Sequence, residues 1–358
     1  MADVVFILGA GASRQGGAPL MSDFLDVADN LWRTNQVREK ADFFKSVFEA
    51  IGRMQAVHSK AQLDLKNIES VFNAFVMARI LNKFPGDTDF SGEAVEDALK
   101  QLIAATLQKT LLFPVQHGNI IAPKPYPGFA SLLDYLRREA HPQRSVAVLT
   151  FNYDLGADYA LYANRLGPDY CLDGAVSEGV PLLKLHGSMN WGVCSKCSEV
   201  VPWGLNAFFK TFSYRHLSDS ETAQLDVWSQ FEHLTHCDAK VAPLPFLVPP
   251  TWNKSDQQET IRVVWQRAAK ELTDAEHIFI IGYSLPETDA FFRTLYALGV
   301  VGGMPLKRIW VYNPDRSDNV EKRFRQLIGP GAEARFRYIA TPFNDAISDI
   351  KREFPARR

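Results

Sequence analysis

The sequence is short of several things, and each absence excludes a class of protein. Its 358 residues hold only four cysteines, Cys171, Cys194, Cys197 and Cys237. Two of them form a Cys-x-x-Cys pair, which in a reducing compartment points to metal or redox chemistry rather than a disulfide frame. There is no surplus of positive charge: 39 Lys and Arg stand against 41 Asp and Glu, for a formal charge of −2. The broad basic face needed to bind a nucleic-acid backbone is therefore missing. No apolar run approaches the length of a membrane span. The opening MADVVFILGAGAS has no basic region, long apolar stretch and small-residue cleavage site in succession. No signal peptide is expected, and a cytoplasmic location is.

What is present is a high apolar content, 46% of residues, ample for a buried core and too high for an acidic disordered chain. Six short runs read as strands: VVFILG (4–9), SVAVLT (145–150), PLLKLH (181–186), HIFIIG (277–282), RIWVYN (308–313) and ARFRYI (334–339). Most are continuously apolar rather than alternating, as in parallel strands covered on both faces. Between the first two, residues 22–115 carry apolar side chains at spacings of three and four. That stretch is too long for one crossover helix and reads as a helical insertion. A second insertion, 190–275, holds the Cys-x-x-Cys pair, several aromatics and the strip PLPFLVPPTW. The expected fold class is α/β: a Rossmann-like parallel sheet with a helical insertion and a second small module, zinc-ribbon-like, all within one domain spanning 1–358.

The chemistry-bearing residues sit where strands end. The first strand runs into Gly9, Ala10, Gly11, Ala12 and Ser13. Small residues there let the backbone turn sharply, and backbone N–H groups with a following helix start offer donors to a diphosphate. The usual third glycine of a dinucleotide loop is absent. So is an acidic residue ending the second strand, and an ordinary dehydrogenase is not indicated. Asn152 and Asp154 follow the second run; His186, Gly187 and Ser188 follow PLLK. Gly282, Tyr283 and Ser284 follow HIFII, and Asn313, Pro314 and Asp315 follow RIWVY. In a parallel sheet these ends open on one edge, so polar groups from five strands would converge on one crevice. Singly, each has a plain structural explanation, such as a helix cap, a hydrogen-bonded core histidine or a turn asparagine. Trp191 reads as core packing. Glu287 and Asp289 would touch a ribose or cap a helix with Pro286 in its first turn.

The ordered set GAGAS, TFNYD, KLHGS, GYSL and YNPD resembles the sirtuin family, whose motifs run GAG-x-S, TQN-x-D, HG and GTSL before an Asn-bearing strand end. The likeness covers residues 4 to about 315, outside the two insertions. It is greatest to the divergent bacterial sirtuin-like proteins, many of them NAD-consuming effectors of anti-phage defence. The resemblance implies that Gly9, Ala10, Gly11, Ala12 and Ser13 face the NAD diphosphate, with Gly282 also at the cofactor. It puts Asn152 by the nicotinamide ribose, Asp154 near the carboxamide and His186 as the base. Ser284 would hold phosphate or ribose, and Asn313 the adenosine ribose. The sequence departs from deacylating sirtuins in having GGAPLMSDFL after the first loop, where they have GIPDFR. It also has prolines in the strip that would pair with an acyl-lysine peptide.

Hydrolysis of NAD to nicotinamide and ADP-ribose is therefore the expected activity, carried by Asn152 and His186. The alternatives are an NAD-dependent deacylase or ADP-ribosyltransferase, and a module that binds NAD or ADP-ribose without turnover. Cys194 comes eight residues after His186, close to the spacing of the first sirtuin zinc cysteine. With Cys197 and Cys237 and either His236 or His233 it could complete a structural zinc site. With no sensor segment evident, control by self-assembly into a homo-oligomer or by a partner protein is expected.

Overall fold

A computed structural model describes residues 2–56, 65–83, 92–174, 177–206, 222–224, 226–249, 259–286, 289–299 and 306–356. Seven strands form the central sheet: β1 Val4–Leu8, β2 Val146–Thr150, β3 Pro168–Asp169, β4 Val180–Lys184, β5 His277–Ile281, β6 Arg308–Tyr312 and β7 Phe336–Ile339. Their order is β7-β6-β5-β1-β2-β4-β3, and every pairing is parallel. All six apolar runs are strands of this sheet. β3 was not foreseen. It is two residues long, lies at an edge and begins with a proline, which only an edge or strand start tolerates.

The continuous apolar runs have a simple cause: both faces of the sheet are covered. Val4, Phe6 and Leu8 point into one layer, and Val5 and Ile7 into the other, following the two-residue period of a strand. The first layer is built by α1 Phe24–Arg33, α2 Ala41–Ala56, α3 Ile68–Ile80, α4 Gly92–Thr110, α5 Tyr126–Arg138 and α6 Gly156–Ala163. In it Phe6 meets Phe129 of α5 edge-on, ring centroids 5.1 Å apart. The second layer is built by α7 Arg262–Asp274, α8 Ala290–Gly299 and α9 Asn319–Leu327. The four helices α1–α4 lie between β1 and β2 and bury Phe44, Phe72, Phe75 and Leu102. The last helix, α10 Phe343–Arg352, returns to the first layer.

A small module follows β4. A two-stranded ladder, Trp191–Val193 with Val200–Pro202, joins a hairpin, Thr235–His236 with Ala239–Lys240, through a bridge between Cys194 and Val241. Trp191 is fully buried in the second layer, as core packing requires. Among the described residues no helix is long and apolar enough to cross a membrane.

The sheet order fixes where a ligand fits. β1 is central, with β2 on one side and β5 on the other. The chain winds away from β1 in both directions, and at such a reversal a crevice is expected at the strands' carboxyl ends.

Candidate functional site

The crevice is a cavity of about 580 Å³, lined among others by Ala10, Gly11, Asn152, His186, Ser284 and Asn313. That is the size of a nucleotide-scale ligand pocket. Five strand ends supply it, as the motif order requires.

The glycine loop closes against β5's end. The Gly11 N–H donates to the Gly282 carbonyl at 2.9 Å. A Cβ on Gly9 would lie 2.5 Å from Tyr283 Cα, and one on Gly282 would lie 2.5 Å from the Gly11 carbonyl carbon. Gly282 also has φ of +63°, in the left-handed region that favours glycine. Gly282→Ala is therefore expected to destabilise the fold by about 1–3 kcal/mol, checked as a lowered melting temperature. A melt matching the wild type would mean that the two loops are not locked together.

The expected helix start after this loop is not there. Two short 3-10 turns, Ala10–Ala12 and Arg14–Gly16, take its place, and Gly17 at φ +105° ends them. The N–H groups of Ala12 and Ser13 turn back onto the carbonyls of Gly9 and Ala10, so most of the loop's donors are spent. Positive charge at the cavity comes instead from Arg14 and Arg323. Arg14 is held by Asp23 at 2.6 Å, and Arg323 donates to the Ser284 carbonyl at 2.9 Å. Neither arginine was singled out from the sequence, although Arg14 directly follows the loop.

Ser13 and Asp154 are buried and do not line this cavity. Ser13 is 1% exposed; its hydroxyl donates to Asp154 Oδ2 at 2.6 Å. With that proton committed, Ser13 Oγ accepts from the Tyr126 hydroxyl at 2.7 Å and from Asn152 Nδ2 at 3.0 Å. One donor and two acceptor sites are thus all used. Asp154 Oδ1 accepts from the Gly156 N–H. Burial raises the Asp154 carboxyl above its ordinary value, opposed by Lys184, Ser13 and Gly156. Both residues also border a much smaller side pocket of about 20 Å³ beside the main cavity.

This network fixes Asn152. Its Nδ2 donates to the Gly9 carbonyl at 2.9 Å as well as to Ser13. A carbonyl can only accept, so the amide has one orientation, with Oδ1 left for the cavity that Asn152 lines. His186 reaches the same cavity from the end of β4 and is buried. The Phe151 ring meets its imidazole edge-on, centroids 5.0 Å apart, and Tyr153 lies at 6.2 Å. Asn313 is pinned by donating to the Tyr283 carbonyl at 3.3 Å, and its Oδ1 accepts from the Asp315 N–H.

A second buried network supports the first. Lys184, the last residue of β4, donates to the Asp154 carbonyl at 2.6 Å and pairs with Asp158 at 3.0 Å. Tyr170 donates to the other Asp158 oxygen at 2.6 Å and accepts from Asn190, whose Oδ1 takes the Ser188 proton. The sequence reading missed Tyr126, Asp158, Tyr170 and Asn190. Lys184 was seen only as part of a strand, although one lysine in an apolar run was the available signal. Asp289 lies beside His186, and α8 starts only at Ala290, four residues past Pro286, because the N–H of Asp289 first turns back to the Pro286 carbonyl. Glu287 lies outside the described residues.

Away from the cavity, Cys194, Cys197, His236 and Cys237 bring one ligand atom each to within 4.8 Å of one another. Cys197 and Cys237 sulfurs are 3.8 Å apart, and His236 Nδ1 lies 3.4 and 3.3 Å from them. These edges match a tetrahedron with zinc–sulfur bonds of about 2.3 Å. The backbone N–H groups of Cys197 and Lys196 pull the Cys194 thiol down to about 6, favouring the thiolate that binds metal. His236 rather than His233 completes the set, and Glu199 lies 3.8 Å from its other ring nitrogen. None of the four lines the cavity, so a zinc ion here would be structural. Purified protein is expected to carry about one zinc per chain, lost in Cys197→Ser with a lower melting temperature. Metal analysis that finds none in the wild type overturns this.

No family model and no curated protein matches the chain. Solved structures of Sir2 enzymes are similar to it. A Sir2 homologue in complex with NAD is 16% identical, with 98% of this chain and 89% of that one covered, at a TM-score of 0.43. A structure described as showing the mechanism and regulation of Sir2 enzymes is 14% identical over 98% and 92%, at 0.42. A Sir2 enzyme bound to a propionylated peptide is 12% identical over 98% and 92%, at 0.38. At such distances a shared fold says nothing of a shared reaction, which the cavity's own residues must carry.

Proposed function

We propose that the chain binds NAD in this cavity and breaks its nicotinamide–ribose bond, with water as the acceptor. The observation that carries the reading is the convergence of an orientation-locked Asn152 carbonyl and a buried His186 on one nucleotide-sized cavity flanked by Arg14 and Arg323. The two guanidiniums suit a diphosphate. The Asn313 end would take the adenosine ribose, and the Asn152–His186 end the nicotinamide ribose.

The chemistry balances with these groups. The bond from the ribose anomeric carbon to the nicotinamide nitrogen breaks, and its electron pair neutralises the pyridinium. Positive charge grows on the ribose, and the Asn152 carbonyl dipole opposes it. A water oxygen bonds to the anomeric carbon while its proton passes to His186. The products are nicotinamide and ADP-ribose, and His186 later releases the proton to solvent.

An acyl-lysine acceptor is the second reading, and the segment 246–249 weighs against it. The N–H groups of Phe246 and Val248 already donate to Trp191 and His186. On the segment's other edge the donor after Leu247 would be residue 249, a proline, which has none. Pro250, Thr251 and Trp252 of the same strip lie outside the described residues. Unrestrained hydrolysis would drain a cell of NAD, so a defence effector held silent by self-association or by a partner protein is part of the same proposal.

The test is incubation of the chain with NAD, with nicotinamide and ADP-ribose measured beside His186→Ala. Loss of about 10²-fold or more in the variant is expected. Equal turnover by both would overturn the assignment, and saturable binding without product would favour a non-catalytic module.

A further inference from the structure

We propose that Asp289 is a positioning residue for His186: held by Tyr283, its carboxylate stabilises the imidazolium that forms as His186 takes the proton. The role rests on the hydrolysis reading above, but the contact itself does not.

The two side chains are buried together, 7% and 4% exposed, with His186 Nε2 4.0 Å from Asp289 Oδ2. That is too long for a hydrogen bond, so the carboxylate acts on the imidazole through charge once the ring is protonated, strongly where water is scarce. The same carboxylate oxygen accepts from the Tyr283 hydroxyl at 2.6 Å. Burial and the neighbouring Asp289 hold the Tyr283 phenol well above its ordinary value, so it remains a donor. The Tyr283 ring stacks on Phe151 at 4.5 Å and 15°, and Phe151 in turn abuts His186. Phe292 closes the group edge-on to both rings at 5.3 Å. The imidazole thus sits in a box of rings with a carboxylate at one side. Asp289 immediately precedes α8, whose N-terminal dipole favours an anion there.

This division of labour fits the proton's path. The water proton goes to the His186 nitrogen that faces the reacting carbon. The developing positive charge is then balanced by Asp289, which takes no proton itself. Among the described residues, the other ionisable groups near His186 are Tyr153 after β2 and Tyr283 after β5, with Arg14, Glu69, Asp315 and Arg323 lining the same cavity. Arg293 on α8 acts on Tyr283 with the opposite sign. A nearby anion raises an imidazole's pKa, so removing Asp289 lowers it.

The experiment uses the full chain with carbon-13-labelled histidine. The His186 imidazole, identified by its absence from His186→Ala, is titrated in the wild type, Asp289→Asn and Asp289→Glu. Asp289→Asn is expected to lower the His186 pKa by about one unit. The acid limb of the kcat/KM profile should move down in step. kcat should fall about 10- to 100-fold, with KM for NAD within about twofold. Asp289→Glu restores the pKa and part of kcat, which a purely structural role would not predict. An unmoved His186 pKa in a folded Asp289→Asn overturns the proposal, whether or not the chain turns over NAD. A shifted pKa in a chain that releases no nicotinamide keeps the charge coupling and overturns the hydrolysis reading alone.

Discussion

Lys184→Met is expected to destabilise the chain by about 3–5 kcal/mol, seen as a fall on the order of 10 °C in Tm. Lys184 and Asp158 are 1% and 0% exposed and 3.0 Å apart. Methionine matches the lysine stem in volume, so little packing is lost. What it removes is the cation paired with the buried Asp158, together with the donor to the Asp154 carbonyl. Breaking one side of a buried pair leaves the other charge desolvated and uncompensated, which costs far more than the pair contributes. Adding Asp158→Asn to Lys184→Met removes the stranded charge while Tyr170 keeps an oxygen to donate to. The double variant is therefore expected to melt above the single one. If Lys184→Met melts within about two degrees of wild type, the pair does not hold the loop that carries Asn152 and Asp154.

That pair also shows where sequence reading stops. The strand PLLK was legible because four apolar or strand-compatible residues in a row fit a doubly covered sheet. Lys184 broke the run, but nothing local says that a lysine points inward. Its partner Asp158 lies on α6 and is brought beside it by packing alone. Tyr126 is a similar case. It belongs to α5, yet its hydroxyl joins Ser13 and Asn152 from across the first layer. Cavity residues that lie at strand ends fell into recognisable short motifs, whereas Arg323 on α9 did not. Residues that hold those motifs in place had no such restriction.

The glycine loop illustrates the opposite error. Its composition correctly announced a tight, close-packed turn, but the reading assumed that free N–H groups follow from small residues. The loop instead closes on β5 through Gly11 and Gly282, and Gly16, Gly17 and Pro19 prevent a regular helix from continuing it. Positive charge at the cavity then comes from the side chains of Arg14 and Arg323, whose positions depend on the turn after the loop and on α9. The metal cluster was half legible. Cys194 and Cys197 share one turn, while His236 and Cys237 are forty residues away and join them only because Cys194 bridges to Val241.

Asn152→Ala is expected to lower nicotinamide release by about 10²–10³-fold, with KM for NAD changed less than about tenfold. The argument lies in the amide's two ends. Nδ2 is committed to the Gly9 carbonyl and Ser13 Oγ, so the oxygen alone is available to the ribose. It is aimed before substrate arrives, and a fixed dipole of this kind costs no reorganisation as charge develops. Binding is expected to be affected less because, in the proposed complex, Arg14, Arg323 and Asn313 would hold other parts of NAD. Asn152→Asp separates this account from a simple need for an oxygen at the position. The aspartate keeps an oxygen toward the cavity but turns another toward the Gly9 carbonyl, which offers no proton, and adds charge close to Asp154. It is expected to be at least as inactive as alanine and to melt lower, by about 1–3 kcal/mol of stability. Activity in Asn152→Asp approaching that of the wild type would mean that a negative charge, not an oriented amide, serves the reaction. The role assigned here to Asn152 would then fall.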